Sequence, residues 1–213
     1  MYVDGFNVYY GIRGTPYRWL DLGRLSRLLV PNVELVRIRY FTARITNRPN
    51  DPGQAQRQDT YLRALRTLPN LTIHEGRFLA SEVRMALVDA PAHGAKTVLV
   101  HKTEEKGSDV NLATFLLVDG FRREYDEAAV ISNDTDLREP IAFTCKDLGL
   151  PVTVLNPRVR YSVTMAQCAT SYRKISLASF EAAQLPLVLY DATGEIRRPP
   201  GWENPSANAP IRT

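Results

Sequence analysis

Asp4, Asp109, Asp134 and Asp136 stand in three short polar islands of the chain, MYVDGFN, KGSDVN and SNDTD. Carboxylates gathered at one place repel one another unless a hard cation neutralises them, and Mg²⁺ or Mn²⁺ prefers oxygen ligands. The chemistry such a set supports is metal-assisted hydrolysis. Taken singly, two of the islands have plainer explanations. Asp4-Gly5 after an apolar run is a common exit from a strand into a turn. Ser108-Asp109 suits the first turn of a helix, where hydroxyl and acidic side chains cap free N–H groups. The run Ser132-Asn133-Asp134-Thr135-Asp136 is harder to dismiss, because one acid is enough to cap the following helix and the second is left unexplained.

The elements that must position these residues can be read from periodicity. Met1–Phe6 and Ala128–Ser132 are short apolar runs of strand type, Asn7–Pro16 reads as a loop, and Ser108–Tyr125 keeps a helical period through Leu112, Phe115, Leu116 and Val118. Helices are also expected at Leu22–Leu29, behind an Asp21 cap, at Gln54–Leu68 and at Leu137–Leu148. Further strands fit Val33–Thr42, Leu71–Glu75, Phe78–Val88, Thr97–Lys102 and Pro151–Leu155, the Phe78 and Thr97 runs forming an inserted hairpin or an extension of the sheet edge. Alternation of this kind implies an α/β fold with a central, mainly parallel sheet covered on both faces. In such sheets, residues just past the carboxyl ends of strands converge on one rim. After Asn156-Pro157 the pattern weakens to a helix at Tyr161–Ser171, another at Ala178–Leu185, a hairpin around Thr193-Gly194 and a tail expected to pass from order to disorder.

With 213 residues and 44% apolar content the chain can bury one good core. No apolar stretch approaches the ~20 residues that span a bilayer, and Asp4 interrupts the only early apolar run, against a signal peptide. Cys145 and Cys168 form neither a disulfide framework nor a CxxC zinc site, as expected of reduced cysteines in a cytoplasmic protein. His74, His93 and His101 lack zinc spacing. The net charge of +4 is mild, but Arg37, Arg39, Arg44, Arg48 and Arg57 cluster, and arginine suits bidentate phosphate contact. They are either a nucleic-acid-binding surface or a solvated face. Tyr9, Tyr10, Tyr17 and Trp19 follow the first island and can either stack on unpaired bases or pack in the core.

Together the islands resemble the NYN family, PIN-like ribonuclease domains that include bacterial proteins of the LabA/DUF88 type. The resemblance rests on Y-V-D-G-F-N at 2–7, E-K-G-S-D-V-N-L-A at 105–113 and V-I-S-N-D-T-D-L at 130–137, in the family's order across residues 1–156. It departs at its start, where the first strand has almost no lead-in. The resemblance implies a PIN-like three-layer α/β/α nuclease domain at 1–156. Residues 157–213 fall outside it and read as a small C-terminal extension that packs on the core, joins two copies as a homodimer or binds a partner. It also implies Asp4, Asp109, Asp134 and Asp136 as catalytic ligands of Mg²⁺ or Mn²⁺, and Asn7, Ser132, Asn133 and Thr135 as supporting residues. Lys106, Ser108 and Arg13 are weaker candidates for substrate contact. The expected activity is hydrolysis of RNA phosphodiester bonds, on single-stranded or structured RNA, away from any membrane. The alternative is a non-catalytic or weakly catalytic RNA-binding regulator on the same scaffold. A phosphatase acting on small phosphate esters fits less well, since no DxDx(T/V) motif follows the first strand.

Overall fold

The computed structural model describes residues 1–47, 51–90 and 93–202. Tyr2–Asp4 (β1) lies at the middle of a seven-stranded sheet. On one side it pairs in parallel with Ile38–Ala43 (β2), which pairs in parallel with Leu71–Ala86 (β3). On the other side follow Ala128–Ile131 (β5), Val152–Asn156 (β6) and Ser171–Lys174 (β7), again parallel. Only Thr97–Lys106 (β4) is antiparallel, to β3, and it ends the order β4-β3-β2-β1-β5-β6-β7.

Side chains on successive strand residues point to opposite faces, and the two cores obey this residue by residue. Val3, Tyr40, Ile131 and Leu155 pack in one cluster, under Gly5–Ile12 (α1), Leu22–Leu29 (α2), Gln54–Leu65 (α3) and Leu177–Ala182 (α7). Their neighbours Tyr2, Phe41, Val130 and Val154 pack in the other, under Ser108–Phe121 (α4), Arg138–Lys146 (α5) and Val163–Cys168 (α6). The expected three-layer α/β/α architecture is therefore the observed one. No helix among the described residues is long and apolar enough to cross a membrane.

Several element boundaries differ from expectation, each for a local reason. The loop expected at Asn7–Pro16 begins instead with α1, because the Asp4 carboxylate accepts the Asn7 N–H at 2.9 Å and starts the helix directly at the strand end. A side chain is excluded at Gly5: a Cβ there would lie 2.7 Å from the Phe41 carbonyl oxygen and from the Tyr40 ring. Residues 33–37 stand outside β2, which starts only at Ile38. The strands expected at 71–75 and 78–88 are one, since Gly76 continues the chain while making room for Glu105 and the Lys106 carbonyl. The helix expected at 137–148 is split into a 3-10 turn, Thr135–Leu137, and α5. The helix expected at 161–171 closes at Cys168, and Ser171–Lys174 adds an unexpected seventh strand. Arg48 and most of the tail lie outside the described residues.

The C-terminal segment shares the main core. Phe180 is 1% exposed and Trp202 packs at 6.3 Å from the Trp19 ring and 5.8 Å from Tyr61. The expected hairpin forms as Val188–Asp191 (β8) and Gly194–Arg197 (β9), with Arg63 of α3 bonded to both Asp191 carboxylate oxygens. Phe180→Ala is accordingly expected to destabilise the whole chain by about 3–5 kcal/mol. Urea unfolding followed by tryptophan fluorescence measures this; a loss below about 1 kcal/mol would mean that the segment unfolds apart from the sheet.

Candidate functional site

Strand order reverses on either side of β1: the chain proceeds to β2 on one side and returns to β5 on the other. Open α/β sheets bind ligands outside the carboxyl ends of strands at such a switch point. Asp4 is the last residue of β1, and Asp134 follows β5 by three residues. Asp109 reaches the same rim by another route. β3 runs in parallel with β2 only to Gly76, then continues past the rim as a ribbon with β4, which returns to place Lys106 opposite Arg77. Gly107, at φ +102°, turns the chain into α4, whose first turn carries Asp109.

Asp4 is 2% exposed and densely held. Its Oδ1 accepts the Asn7 N–H, and its Oδ2 accepts from Asn7 Nδ2 at 2.7 Å and from Ser132 Oγ at 2.8 Å. Asp134 receives the Asp136 N–H on Oδ1 at 3.0 Å, and its own N–H donates to Ser132 Oγ. Asn133 ties the rim together: its N–H donates to Asn7 Oδ1, its Oδ1 accepts from Tyr172 at 2.7 Å, and its Nδ2 donates to the Arg160 carbonyl. Asn7 and Ser132 thus bond to Asp4 directly, and Asn133 bonds to Asn7.

The charges feel one another. Burial pushes the Asp4 carboxyl above its ordinary value, against the hydrogen bonds from Asn7 and Ser132, and the Asp134 charge adds to the rise. Burial, then the charges of Asp4, Asp134 and Glu105, raise Asp109 to about 6. Glu105 is a member of this acidic set that the motif reading overlooked; its two oxygens accept the Ser108 N–H and Oγ at the start of α4. Asp136 and Thr135 are exposed, and Asp136 serves the rim through its backbone N–H to Asp134. Lys106 is paired with Glu104 at 3.2 Å, Ser108 is buried in its own cap, and Arg13 is exposed at the end of α1.

The donor set suits a hard divalent cation. All of its members are carboxylates, Asp134 Oδ2 accepts no hydrogen bond among the described residues, and Asp4 Oδ1 accepts only one. A cation would also offset the mutual repulsion that adds to burial in raising Asp109. The acids do not form a closed cage: among the described residues, no three His, Cys, Asp or Glu side chains are gathered as a metal-holding group. They are coupled by charge across an open rim. A cavity of about 520 Å³ lies at the other end of the strands, lined by Tyr2, Arg37, Asp119 and Glu124, and includes none of these acids.

The arginine cluster is largely spent inside the molecule. Arg37 binds Glu124, Arg39 binds Asp119, Arg44 binds Glu75 and Asp59, and Arg57 binds Asp51. Asp119 of α4 is salt-bridged and 3% exposed. Trp19 is core, whereas Tyr9 and Tyr10 are exposed, with Arg158 over the Tyr10 ring. His74 is structural, stacked on Phe41 at 5.0 Å and beside Phe115 at 4.2 Å. Burial, and then the Arg39 charge, lower its pKa. The unfolded chain therefore takes up this proton first, and the contribution of His74 to stability is lost as pH falls below about 6.5. Thermal melts at pH 7.5 and 5.5 are expected to show a smaller acid-induced drop for His74→Phe than for wild type; equal drops would count against this account.

Fold and rim define the class: a three-layer α/β/α protein with coupled carboxylates at the switch point of its sheet. No family model matches the chain. Over 233 residues it is 30% identical to the 6-hydroxy-3-succinoylpyridine 3-monooxygenase HspA of Pseudomonas putida (strain DSM 28022 / S16), matching 95% of this chain and 74% of that protein, and the chain belongs to the same family. The crystal structure of a protein of unknown function from Vibrio parahaemolyticus shares the fold, with a TM-score of 0.52 at 19% identity, covering 86% of this chain and 94% of that one.

Proposed function

We propose that the chain is a divalent-metal-dependent ribonuclease acting at the acidic rim. The observation that carries this reading is that Asp4, Asp109 and Asp134, from distant parts of the chain, meet at one rim of the sheet, where burial and then their mutual charge raise Asp109 to about 6. Their motifs, read in order, resemble those of NYN ribonucleases, and that resemblance supports RNA as substrate and a cytoplasmic setting. Asp4 is the rigid member, fixed by Asn7 and Ser132, while Asp109 and Asp134 are half-buried and open to a ligand. Bound Mg²⁺ or Mn²⁺ would supply a water of lowered pKa and neutralise charge on the scissile phosphate. Asn7 bonds to Asp4 and accepts the Asn133 N–H, which ties Asp4 to the loop that carries Asp134.

Cleavage of labelled single-stranded RNA with Mg²⁺, with Mn²⁺ and with chelator tests the proposal. Cation-dependent cleavage that is lost in Asp109→Asn and Asp134→Asn is the expected result. Equal cleavage by the substituted proteins would sink it, and RNA binding without cleavage under both metals would favour the non-catalytic regulator. A second reading is favoured by family membership: 3-monooxygenation of 6-hydroxy-3-succinoylpyridine, the activity that the name of the Pseudomonas relative gives to that protein. Oxygen consumption with 6-hydroxy-3-succinoylpyridine and a reduced nicotinamide or flavin donor, in place of RNA cleavage, would establish that reading instead.

A further inference from the structure

β3 is sixteen residues long, but only Leu71–Gly76 pair with β2. From Arg77 to Ala86 its one partner strand among the described residues is β4, so the two form a ribbon that projects past the rim of the sheet. Nearly every residue on both faces of the distal ribbon is half-buried or exposed, including Leu79, Met85, Val98 and Leu99. A two-stranded ribbon by itself is only marginally stable in water and is secured by further strands. Its two edges are not equivalent. The free edge of β3 overhangs the β2 and β1 side, with Phe78 against Phe6 of α1 at 5.8 Å. The edge of β4 points away from the body of the protein.

Exposed edges are ordinarily protected by proline, by a short strand or by charges that repel a second copy. β4 contains no proline and is ten residues long. Its charges run positive, negative, negative, positive through Lys102, Glu104, Glu105 and Lys106, and symmetry decides what that does. When two copies of a strand pair antiparallel about a two-fold axis normal to the sheet, opposed residues share a face. The axis must then pass beside a residue that opposes itself, because a register centred between two residues would set opposite faces against each other. Centring on Lys102 or on Glu104 opposes like charges directly. Centring on Thr103 sets Lys102 opposite Glu104 and His101 opposite Glu105 of the second copy, and each pairing occurs twice. The side-chain charges of this edge are thus complementary to themselves in that register. The ribbon from Arg77 to Ala86 and Thr97 to Lys106 carries Arg77, Arg84, Lys102 and Lys106 against Glu82, Glu104 and Glu105, a near-balanced mixture with no strongly basic face for nucleic acid.

We propose that the β4 edge is a homodimer interface, in which two copies join antiparallel strands through Thr103 and make the two ribbons one four-stranded sheet. The proposal does not depend on the ribonuclease reading. Lys102 and Glu104 are exposed enough to be exchanged without touching the core, their present partners being each other and Lys106.

Sedimentation equilibrium of the full chain reads the outcome. Wild type is expected to dimerise. Lys102→Glu and Glu104→Lys, each of which turns two attractive facing pairs into repulsive ones, are expected to weaken dimerisation by about tenfold or more. The double exchange, Lys102→Glu with Glu104→Lys, restores opposite charges across the interface and is expected to restore the dimer. Circular dichroism checks that each variant is folded. A monomeric wild type overturns the proposal. So does a dimer indifferent to both single exchanges, which would place the interface elsewhere, or a double exchange that stays monomeric while folded.

Discussion

Asp109→Asn is expected to reduce the proposed cation-dependent cleavage of RNA by about a hundredfold or more, the usual scale for losing one electrostatic stabiliser of a transition state. The same substitution is expected to leave the metal-free protein as stable as wild type at neutral pH, or more so. In the absence of a cation, the Asp109 carboxylate is disfavoured by burial and then by the charges of Asp4, Asp134 and Glu105, and removing its charge removes both costs. This opposition of effects separates a site from a scaffold. A carboxylate kept for stability loses stability when it becomes an amide, whereas one kept for a cation loses only what the cation contributes. Thermal melts with and without Mn²⁺ give a second readout. Wild type should gain stability from the ion by mass action, and Asp109→Asn should gain less. Lower stability of Asp109→Asn without metal, together with unchanged cleavage, would assign the residue to the fold alone.

How the rim was legible in the sequence follows from where its acids lie. Asp4 and Asp134 each follow a short apolar run, and Asp109 opens a strongly periodic helix, so local pattern is enough to bring all three to strand ends and a helix start. Glu105 was not legible. Its approach to Asp109 depends on Gly107 at positive φ and on the absence of a Cβ at Gly76, which lets β3 and β4 lie close beside the start of α4. Gly11, Gly14 and Pro16 give Asn7–Pro16 the composition of a loop and hide α1. The helix is held by the Asp4 cap and by the fit of Gly5 under Tyr40 and Gly11 against the Pro157 carbonyl. β7 is a polar four-residue edge, Ser-Tyr-Arg-Lys, with no alternation to reveal it. Its tyrosine nevertheless reaches the site, since Tyr172 holds Asn133.

The arginines teach the complementary lesson, and a large expected stability effect comes from one of them. Arg39 suits a phosphate contact by residue type, but its guanidinium grips both oxygens of Asp119 at 2.7 and 2.9 Å from eighty residues away and lies 4.3 Å over the Phe115 ring. Tyr2 donates a third hydrogen bond to Asp119 at 2.7 Å. Burial and the Asp119 carboxylate raise the Tyr2 hydroxyl far above its usual pKa, so it stays protonated as that donor. Arg39→Met would leave the Asp119 carboxylate, 4% exposed, with one hydroxyl and with Arg37 at 4.0 Å. A buried charge stripped of its partner costs about 3–5 kcal/mol. Replacing both partners with apolar residues, Arg39→Met with Asp119→Leu, removes the unpaired charge and leaves chiefly the Tyr2 hydroxyl unsatisfied, at about 1–3 kcal/mol. The double substitution should therefore be more stable than Arg39→Met alone, which a double-mutant cycle in urea would register as strong coupling. A single substitution costing less than about 1 kcal/mol would show that water reaches Asp119 through the adjoining cavity and that solvation, not Arg39, neutralises it.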